Sequence, residues 1–429
     1  MVSIFRARPG AVCGIVALLA LAGLAPPLRA AGPAPGARVE ELLDHARLHN
    51  PELAARRLEA EAAAERVQPA GALADPLLRV ELQDVTRGGT RDATLLPGLA
   101  GSTKYTLIQP LPFWGKRDLK REAAAAEASA LRGQQGEAWN ALAAQIKTAY
   151  AEHYALTRQL DLARQALDLT RRLEAVATAR YAQGLGAQPD ALRLTGERLA
   201  LESDLIGLET EHHHSEARLN ALLARPAHAA LATPQALRPL PPPARLDYAA
   251  LDERLRERNP QLFADAERLR AAERNRELTY RNRYPDLALG LSPLQSGSRV
   301  AEWGVMLEVT IPLQQDTRRS QEREAELAVS AAEARRAATA NQLSGALAEN
   351  LVALEAARRS EALLRDGLLP QAELALSSAL AAYETGRIDF ALLLDTRRQV
   401  LRARQDVLKA QVEQQARLAD IERLIGEDL

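Results

Sequence analysis

The chain has 429 residues and a formal net charge of -1, and 47% of its residues are hydrophobic but only 3% aromatic. Abundant Ala, Leu, Arg and Glu with few aromatic residues is typical of long helices that bury narrow seams, so the composition argues against two or three ordinary globular domains. Basic and acidic residues alternate along the predicted helices, and this balance excludes a strong field for gathering nucleic acid.

The first 30 residues have the pattern of a secretory signal peptide. Arg6 and Arg8 precede an apolar stretch at 11–24, and Leu28-Arg29-Ala30 fits a cleavage site. The single cysteine, Cys13, lies inside this segment. We therefore expect an exported chain without a thiol for a disulfide, a metal site or a nucleophile. No later segment has the apolar run of a membrane helix, so membrane spanning would require strands.

Residues 31–226 are predicted to form a first structural unit that begins with a helix and a strand pair. The helix covers 40–67, with Pro51 at a helix start or break. Leu78-Arg79-Val80-Glu81-Leu82-Gln83 alternates apolar and polar residues, which predicts a strand. A second strand at 103–109 is ended by Pro110 and Pro112. The hairpin is expected at about 77–110.

A very long helix follows the hairpin. No proline occurs between Gly115 and Tyr181, which predicts a helix of roughly 65 residues, about 100 Å long. Gly184-Leu185-Gly186 ends it. Residues 190–224 then return as an antiparallel partner, because apolar residues recur at the alternating four-three step of a coiled coil, with His212 and Ser215 on the same seam.

A proline-rich linker at 227–247 separates this unit from a second unit at 248–429, which repeats the plan. Asn50-Pro51-Glu52-Leu53 recurs as Asn259-Pro260-Gln261-Leu262, and Tyr181-Ala182-Gln183-Gly184 recurs as Tyr383-Glu384-Thr385-Gly386. The second hairpin is expected at about 285–312. A helix over 318–383, which Pro370 can interrupt, and a last helix that ends at Ile425 complete the repeat.

The alternation in all four predicted strands suits a membrane barrel, with lipid outside and water inside. Four strands cannot close a barrel, eight leave an interior filled by side chains, and twelve from three chains leave an open lumen. Leu289 and Val309 would then face lipid. The residues expected to face the lumen are Arg79, Glu81, Gln83 and Glu308. The alternative is a soluble sandwich of hairpins on a helical stalk.

The repeated motifs, together with the corner Gln109-Pro110-Leu111-Pro112-Phe113-Trp114-Gly115-Lys116-Arg117, resemble the TolC family of outer-membrane efflux proteins. The resemblance implies a mainly α protein with membrane β structure. It would be a homotrimer with a twelve-stranded β-barrel in the bacterial outer membrane on a long periplasmic α-helical barrel. Its partners would be a periplasmic adaptor and an inner-membrane pump of the resistance-nodulation-division type. The short loops and the Gly-Lys-Arg corner look most like the heavy-metal efflux branch.

The same resemblance implies a gate at the periplasmic tip. The tip turns expected to contact the adaptor contain Gly184, Leu185, Gly186 and Gly386. Acidic residues beyond these turns would narrow the aperture, with an arginine in the links between helices. The matching acidic positions are Asp190 and Asp395. Arg387 lies one residue before the usual arginine position, and Asp389 is the alternative acidic residue for the ring. The chain departs from the family pattern at Leu392 and Ile388. For Asp190, a simple helix N-cap is an equally good interpretation.

We expect no metal site, no cofactor and no enzymatic activity. Consecutive helical residues point about 100° apart, so His212-His213-His214 cannot easily share one ion. No Ser, His and Asp arrangement suggests a nucleophile, and no glycine-rich phosphate loop appears in the sequence.

The predicted function is a passive exit duct of a tripartite efflux system, with heavy-metal cations as cargo. An exit duct for drugs or for type I secretion is the alternative within the family. A periplasmic structural coiled-coil or adaptor protein is the alternative from a different class, although the sequence lacks the β-rich lipoyl-like domain that usually flanks an adaptor hairpin.

Overall fold

The computed structural model describes residues 34–85, 95–97, 100–184, 187–385 and 387–429. The predicted signal peptide and the tip residues Leu185, Gly186 and Gly386 lie outside the described residues. The described chain is mainly helical and contains a four-stranded sheet. Among its helices, none combines the length and the apolar character that a membrane span requires.

The first repeat contains the helices and strands α1 Val39–His49, α2 Pro51–Glu65, α3 Val67–Ala70, β1 Leu77–Gln83, β2 Ser102–Leu111, α4 Lys116–Ala182 and α5 Gln188–Leu222. A 3-10 turn at Pro243–Arg245 precedes the second repeat. That repeat contains α6 Tyr248–Arg258, α7 Pro260–Arg281, β3 Asp286–Ser296, β4 Arg299–Thr310, α8 Gln315–Ala362, a π-helical turn Leu363–Leu368, α9 Leu369–Glu384 and α10 Phe390–Ile425.

The two Asn-Pro corners fold in the same way. Asn50 breaks the first predicted helix into α1 and α2, and its side-chain oxygen accepts from the backbone N–H groups two and three residues later at 2.9 and 3.2 Å. Asn259 does the same between α6 and α7 at 2.9 and 3.0 Å. Their amide groups donate to the carbonyls of Leu222 and Leu424, at 2.9 and 2.8 Å. Each corner therefore caps one helix and holds the end of a returning helix.

The long helices of the two repeats differ. Helix α4 runs without interruption for 67 residues. In the second repeat, a π-helical turn at Leu363–Leu368 separates α8 from α9, immediately before Pro370. Proline has no N–H, and its ring clashes with the carbonyl four residues earlier, which here belongs to Asp366. The wider turn is where the helix accommodates Pro370.

The sheet is antiparallel in the order β1-β2-β3-β4, so β2 and β3 join the hairpins of the two repeats. Leu289 lies opposite Leu307, and Ile108 lies opposite Gly290. Of the two prolines predicted to end the second strand, Pro110 does not, whereas Pro112 directly follows its last residue. Pro110 lies within β2 opposite Ala288, and the strand continues to Leu111.

Each repeat has an apolar cluster of its own, and a buried ion network links the two repeats. One cluster joins α1, α4 and α5 around Leu42 and Ile146, and another joins α6, α8 and α10 around Leu347. Between them, the buried Lys147 ammonium contacts Glu422 at 2.7 Å. Arg238 from the linker contacts the same carboxylate at 2.9 Å. A buried carboxylate with two cationic partners is compensated, so Glu422 links the halves.

Candidate channel surfaces and tip

The sheet has one apolar face and one polar face. Cross-strand pairing fixes the faces, because residues directly opposite each other point to the same side. Most apolar side chains on one face are exposed in the single chain: Leu78, Val80, Leu107, Leu289, Leu291, Trp303, Val305, Leu307 and Val309. Val305 is 83% exposed and Trp303 is 68% exposed. Exposed apolar area of this size needs an apolar environment.

The opposite face carries mainly polar and small residues, with Leu77, Ile108, Leu294 and Met306 as the exceptions. The four predicted lumen residues lie on this face, with Arg79, Glu81 and Gln83 on one edge strand and Glu308 on the other. Arg79 lies 4.0 Å from Glu81, and Ser102 donates to Gln83 at 3.3 Å. This face is also closely packed at Gly290, where an added Cβ would lie 2.9 Å from Met306 Cε.

The Gly-Lys-Arg corner is a structural junction between the repeats. Lys116 is only 4% exposed, and its Nζ donates to Asp286 Oδ1 at 2.8 Å and to the Tyr284 carbonyl at 3.2 Å. The Phe113 N–H donates to the same carboxylate oxygen at 2.8 Å, and its ring stacks on Tyr284. The corner therefore fixes the start of α4 against the start of β3. The sequence contained both partners but not their pairing.

At the tip of the first repeat, α4 ends at Ala182 and Gly184 has a φ of +74°. Helix α5 begins at Gln188 with Ala187 as its N-cap residue. Asp190 is therefore the third residue of the helix, and its interpretation as the N-cap is wrong. Burial, and next the nearby Asp190 carboxylate, raise the pKa of Tyr383. The Asp190 charge thus acts on the last turn of α9.

The other predicted gate residues lie at the tip of the second repeat. Asp389 is the N-cap of α10, where its Oδ1 accepts from the Leu392 N–H at 2.9 Å. Asp395 is exposed, and its Oδ2 accepts from Gln399 at 2.9 Å. Arg387 is exposed as well, and within the described part of one chain it forms no ion pair with these aspartates. The structure brings these residues to one end of the molecule but not into one network.

A family model described as "Outer membrane efflux protein" matches the chain twice, at residues 42–225 and 251–427. The chain belongs to this family. The resemblance predicted from the corner and tip motifs is confirmed for the family, which consists of outer-membrane efflux channels, and the heavy-metal branch stays a prediction. A comparison with curated protein sequences gives no match.

Solved channel structures share the fold of this efflux-family chain. CusC aligns with a TM-score of 0.78 and 18% identity, over 91% of this chain and 92% of that chain. VceC from Vibrio cholerae aligns with a TM-score of 0.76 and 19% identity, over 91% and 96%. The open state of MtrE from Neisseria gonorrhoeae gives 0.74 and 18%, over 91% and 89%. At such identities these similarities establish the fold alone.

Two arginines at the tip of the efflux-family chain were missed by sequence reasoning. Arg397 on α10 is buried and donates to Thr170 Oγ1 and to the Ala166 carbonyl of α4; burial lowers the pKa of its guanidinium. Its neighbour Arg398 pairs with Glu197 of α5, with Nε 3.2 Å from Oε1. These two residues tie the second repeat to both helices of the first. Their position beside the leucines spaced by seven on α10 was the available signal.

A histidine pair lies further along the hairpin of the same chain. His153 on α4 is 3% exposed, and its ring centroid lies 4.7 Å from that of His212 on α5. Burial, with His212 as the next cause, lowers the pKa of His153 to about 4. The expectation of no metal site considered the three consecutive histidines on α5 alone and missed this partner on α4.

Proposed function

We propose that three copies of this chain form a passive exit duct in the bacterial outer membrane. Their strands would close a twelve-stranded barrel, and their long helices would form a hollow periplasmic barrel below it. The observation that carries the proposal is the sheet with one exposed apolar face and one polar face, which suits lipid outside and water inside.

The edges of the sheet support a trimer. In the described residues, β1 pairs only with β2, and β4 pairs only with β3. Unpaired strand edges cannot stay unsatisfied in lipid, so β4 of one chain would pair with β1 of the next. Four strands are too few to close a barrel, whereas twelve enclose an open lumen.

Aromatic residues near both ends of the sheet support its position across a bilayer. Trp114 and Tyr284 lie at the junction of strands and helices and are 76% and 52% exposed. Trp303 lies toward the other end, opposite Pro293 and close to the β3–β4 turn. Membrane barrels carry aromatic girdles at both interfaces.

The helical part also has a surface suited to neighbouring copies. Leu192, Leu199 and Ile206 recur every seven residues along α5 and are 64%, 55% and 67% exposed. A stripe with this spacing fits a helix from another chain in coiled-coil packing. It supports a closed helical barrel in which each chain covers the stripe of its neighbour.

We further infer that the duct works with a periplasmic adaptor and a resistance-nodulation-division pump, and that its cargo is heavy-metal cations. The support for the metal branch is the Gly115-Lys116-Arg117 corner. The adaptor would contact the tip turns at 184–186 and at Gly386. Since the chain carries no nucleotide-binding motif, the energy for export comes from the pump.

The gate would lie at the tip, where Asp190, Arg387, Asp389 and Asp395 gather. Replacing Asp190 and Arg387 with Ala should raise single-channel conductance without changing assembly. Replacing Asp395 with Asn should mainly reduce cation preference, because Asp395 is exposed and bound only to Gln399 in the described chain. Unchanged conductance and selectivity in all these variants would show that the aperture lies elsewhere in the protein.

The membrane test compares two neighbouring positions of β4. Leu307→Arg places a charge on the apolar face and should cost about 2–4 kcal/mol or block insertion. Glu308→Arg makes the matched change on the polar face and should assemble normally. Native mass measurement of detergent-extracted protein should give a trimer for the wild type and Glu308→Arg. Equal behaviour of the two variants, or a stable monomer with its strands formed, contradicts the barrel.

Cargo is tested in a strain that lacks its own outer-membrane ducts. Expression with the cognate pump and adaptor should restore tolerance to zinc, cobalt or cadmium more than tolerance to drugs. Restored drug tolerance or protein secretion alone would favour the other family functions. Recovery of the chain in the soluble periplasmic fraction would favour the structural coiled-coil alternative.

A further inference from the structure

A cluster of possible metal ligands lies between α4 and α5, away from the sheet and the gate residues. It consists of His153 on α4 and of His212 and Glu216 on α5. One ligand atom from each residue can be chosen so that all three lie within 4.8 Å of one another. Two imidazoles and one carboxylate are a known ligand set for zinc.

The hydrogen bonds of His153 fix its tautomer. The Ser215 hydroxyl donates its only proton to the His212 carbonyl at 2.7 Å. Its oxygen, 2.8 Å from His153 Nδ1, must therefore accept from that nitrogen. The proton of the neutral imidazole is then on Nδ1, and the Nε2 lone pair is free. An outer hydrogen bond of this kind orients histidine ligands in metal sites.

The same reasoning applies to His212. The Thr157 hydroxyl donates its proton to the His153 carbonyl at 2.8 Å. Its oxygen lies 3.3 Å from His212 Nε2 and must accept from it. The lone pair of His212 is then on Nδ1, which lies 3.8 Å from Glu216 Oε1. Both imidazoles therefore present an unprotonated nitrogen.

Glu216 is oriented in turn by a third histidine. His213 Nδ1 lies 3.1 Å from Glu216 Oε2, which leaves Oε1 for the cluster. His212 and Glu216 are spaced by four residues, so they share one face of α5. Their side chains are 20% and 30% exposed, which leaves an approach for an ion from solvent, whereas His153 lies on the buried side.

We propose that His153, His212 and Glu216 bind one divalent transition-metal cation of the zinc type in each chain and that the ion cross-links α4 to α5. A tetrahedral ion bound at about 2.1 Å holds its ligand atoms about 3.4 Å apart. The three side chains therefore move slightly toward the ion when it binds. The fourth position is open to water. This inference does not rest on the cargo of the duct.

The test uses the full-length protein in detergent, purified without a polyhistidine tag and treated with a chelator. Titration with Zn²⁺ by calorimetry, and with Co²⁺ by its visible absorption bands, should show one ion per chain. His212→Gln and Glu216→Gln should abolish this binding. Ser215→Ala should weaken it by about 10–100-fold, because it removes the group that orients His153. His214→Gln is the matched control, since His214 is exposed and outside the cluster, and should bind as the wild type does.

The cross-link is tested by thermal unfolding of the same proteins. Zn²⁺ should raise the unfolding midpoint of the wild type and of His214→Gln but not of His212→Gln. His153→Gln should behave like His212→Gln. Circular dichroism of metal-free His153→Gln checks that this variant folds. If it does not fold, His212→Gln and Glu216→Gln test the site. No ion bound by the wild type, or binding that His212→Gln retains and His214→Gln loses, would overturn the site. An equal rise of the midpoint in His212→Gln would overturn the cross-link.

Discussion

At the tip of the first repeat, charged side chains join α4 to α5. Glu174 accepts from Thr195 at 2.7 Å and from Arg198 at 2.9 Å, and Arg171 reaches Glu202 at 3.0 Å. A buried apolar cluster joins this tip to that of the second repeat: α9 and α10 supply Ala379, Phe390, Leu393 and Leu394, whereas α4 and α5 supply Ala177 and Leu194. A charged pair, Arg404 with Glu373 at 2.8 Å, also joins α10 to α9. Partly exposed ion pairs contribute little, whereas apolar burial contributes more. The second hairpin therefore supplies most of the shared apolar cluster, and the first hairpin depends more on charged contacts.

The N-terminal caps of α5 and α10, at the two tips, also differ between the repeats. Ala187 at the start of α5 makes no side-chain cap, although its φ of -87° and ψ of 135° suit one. Asp389 at the start of α10 caps the Leu392 N–H at 2.9 Å. The Asn-Pro corners, by contrast, are the same in both repeats. The repeats have thus kept the geometry of the corners and diverged at the tips.

The largest expected effect comes from removing the apolar anchor of the second tip. Phe390 is 1% exposed, so Phe390→Ala should cost about 3–5 kcal/mol and speed hydrogen exchange in the first turns of α10. The control is Leu392→Ala, two residues away and 52% exposed, which should change stability by less than about 0.5 kcal/mol. Similar exchange in both variants would contradict the contrast between the tips.

The second prediction concerns the histidine pair, which belongs to the first repeat. The pKa of His153 is about 4 in the fold, below its ordinary 6.5, because burial disfavours the charged imidazole; His212 lowers the pKa further and Glu216 opposes this. Above pH 6.5, His153 is neutral in both the folded and the unfolded chain, and its contribution to the free energy of unfolding is fully present. This contribution is lost as the pH falls from 6.5 to about 4. The loss should reach about 3 kcal/mol.

This pH dependence is measured by hydrogen exchange in the presence of a chelator. Amides of α4 and α5 around His153 should lose protection between pH 6.5 and 4, and those of α8 and α10 should change less. In His153→Gln this local loss should disappear. A uniform loss across both repeats, unchanged in the variant, would mean that the histidine pair is not its source.

The third prediction exchanges the caps. Asp389→Ala should cost about 1 kcal/mol, and Ala187→Asp should stabilise the start of α5 by a similar amount. Exchange rates of the first-turn amides of α5 and α10 report each change locally. With both substitutions present, the first-turn amides of α5 should be better protected from hydrogen exchange than those of α10. No gain from Ala187→Asp would show that another feature holds this turn.

The smallest expected effect is the salt dependence of the first tip. Raising the salt from about 0.05 M to about 1 M screens exposed charges, so the α4–α5 tip should exchange faster. The apolar cluster of the second tip should change less. Glu174→Gln should remove most of the salt dependence, since Glu174 accepts from both Thr195 and Arg198. Equal salt dependence at both tips would mean that the Arg404–Glu373 pair of the second hairpin matters as much as the charged contacts of the first.

Local patterns in the sequence determined much of this protein. Alternation in 78–83 and 303–309 placed β1 and β4 and assigned their faces, because strand side chains alternate whatever surrounds them. The Asn-Pro corners were visible because an Asn cap followed by proline is a short-range signal. Long proline-free stretches and the glycine at 184 defined α4 and its end in the same way.

Only the tertiary structure decided which distant side chains meet. Lys116 with Asp286, Arg397 with Thr170, and His153 with His212 depend on the axial position and rotation of packed helices and strands, which a one-residue shift would change. The π-helical turn before Pro370 likewise changes the phase of every later residue in that helix. Such contacts arise from the packing of elements that are distant in sequence, either between the repeats or, for the histidine pair, between two helices of one repeat, so no local pattern contains them.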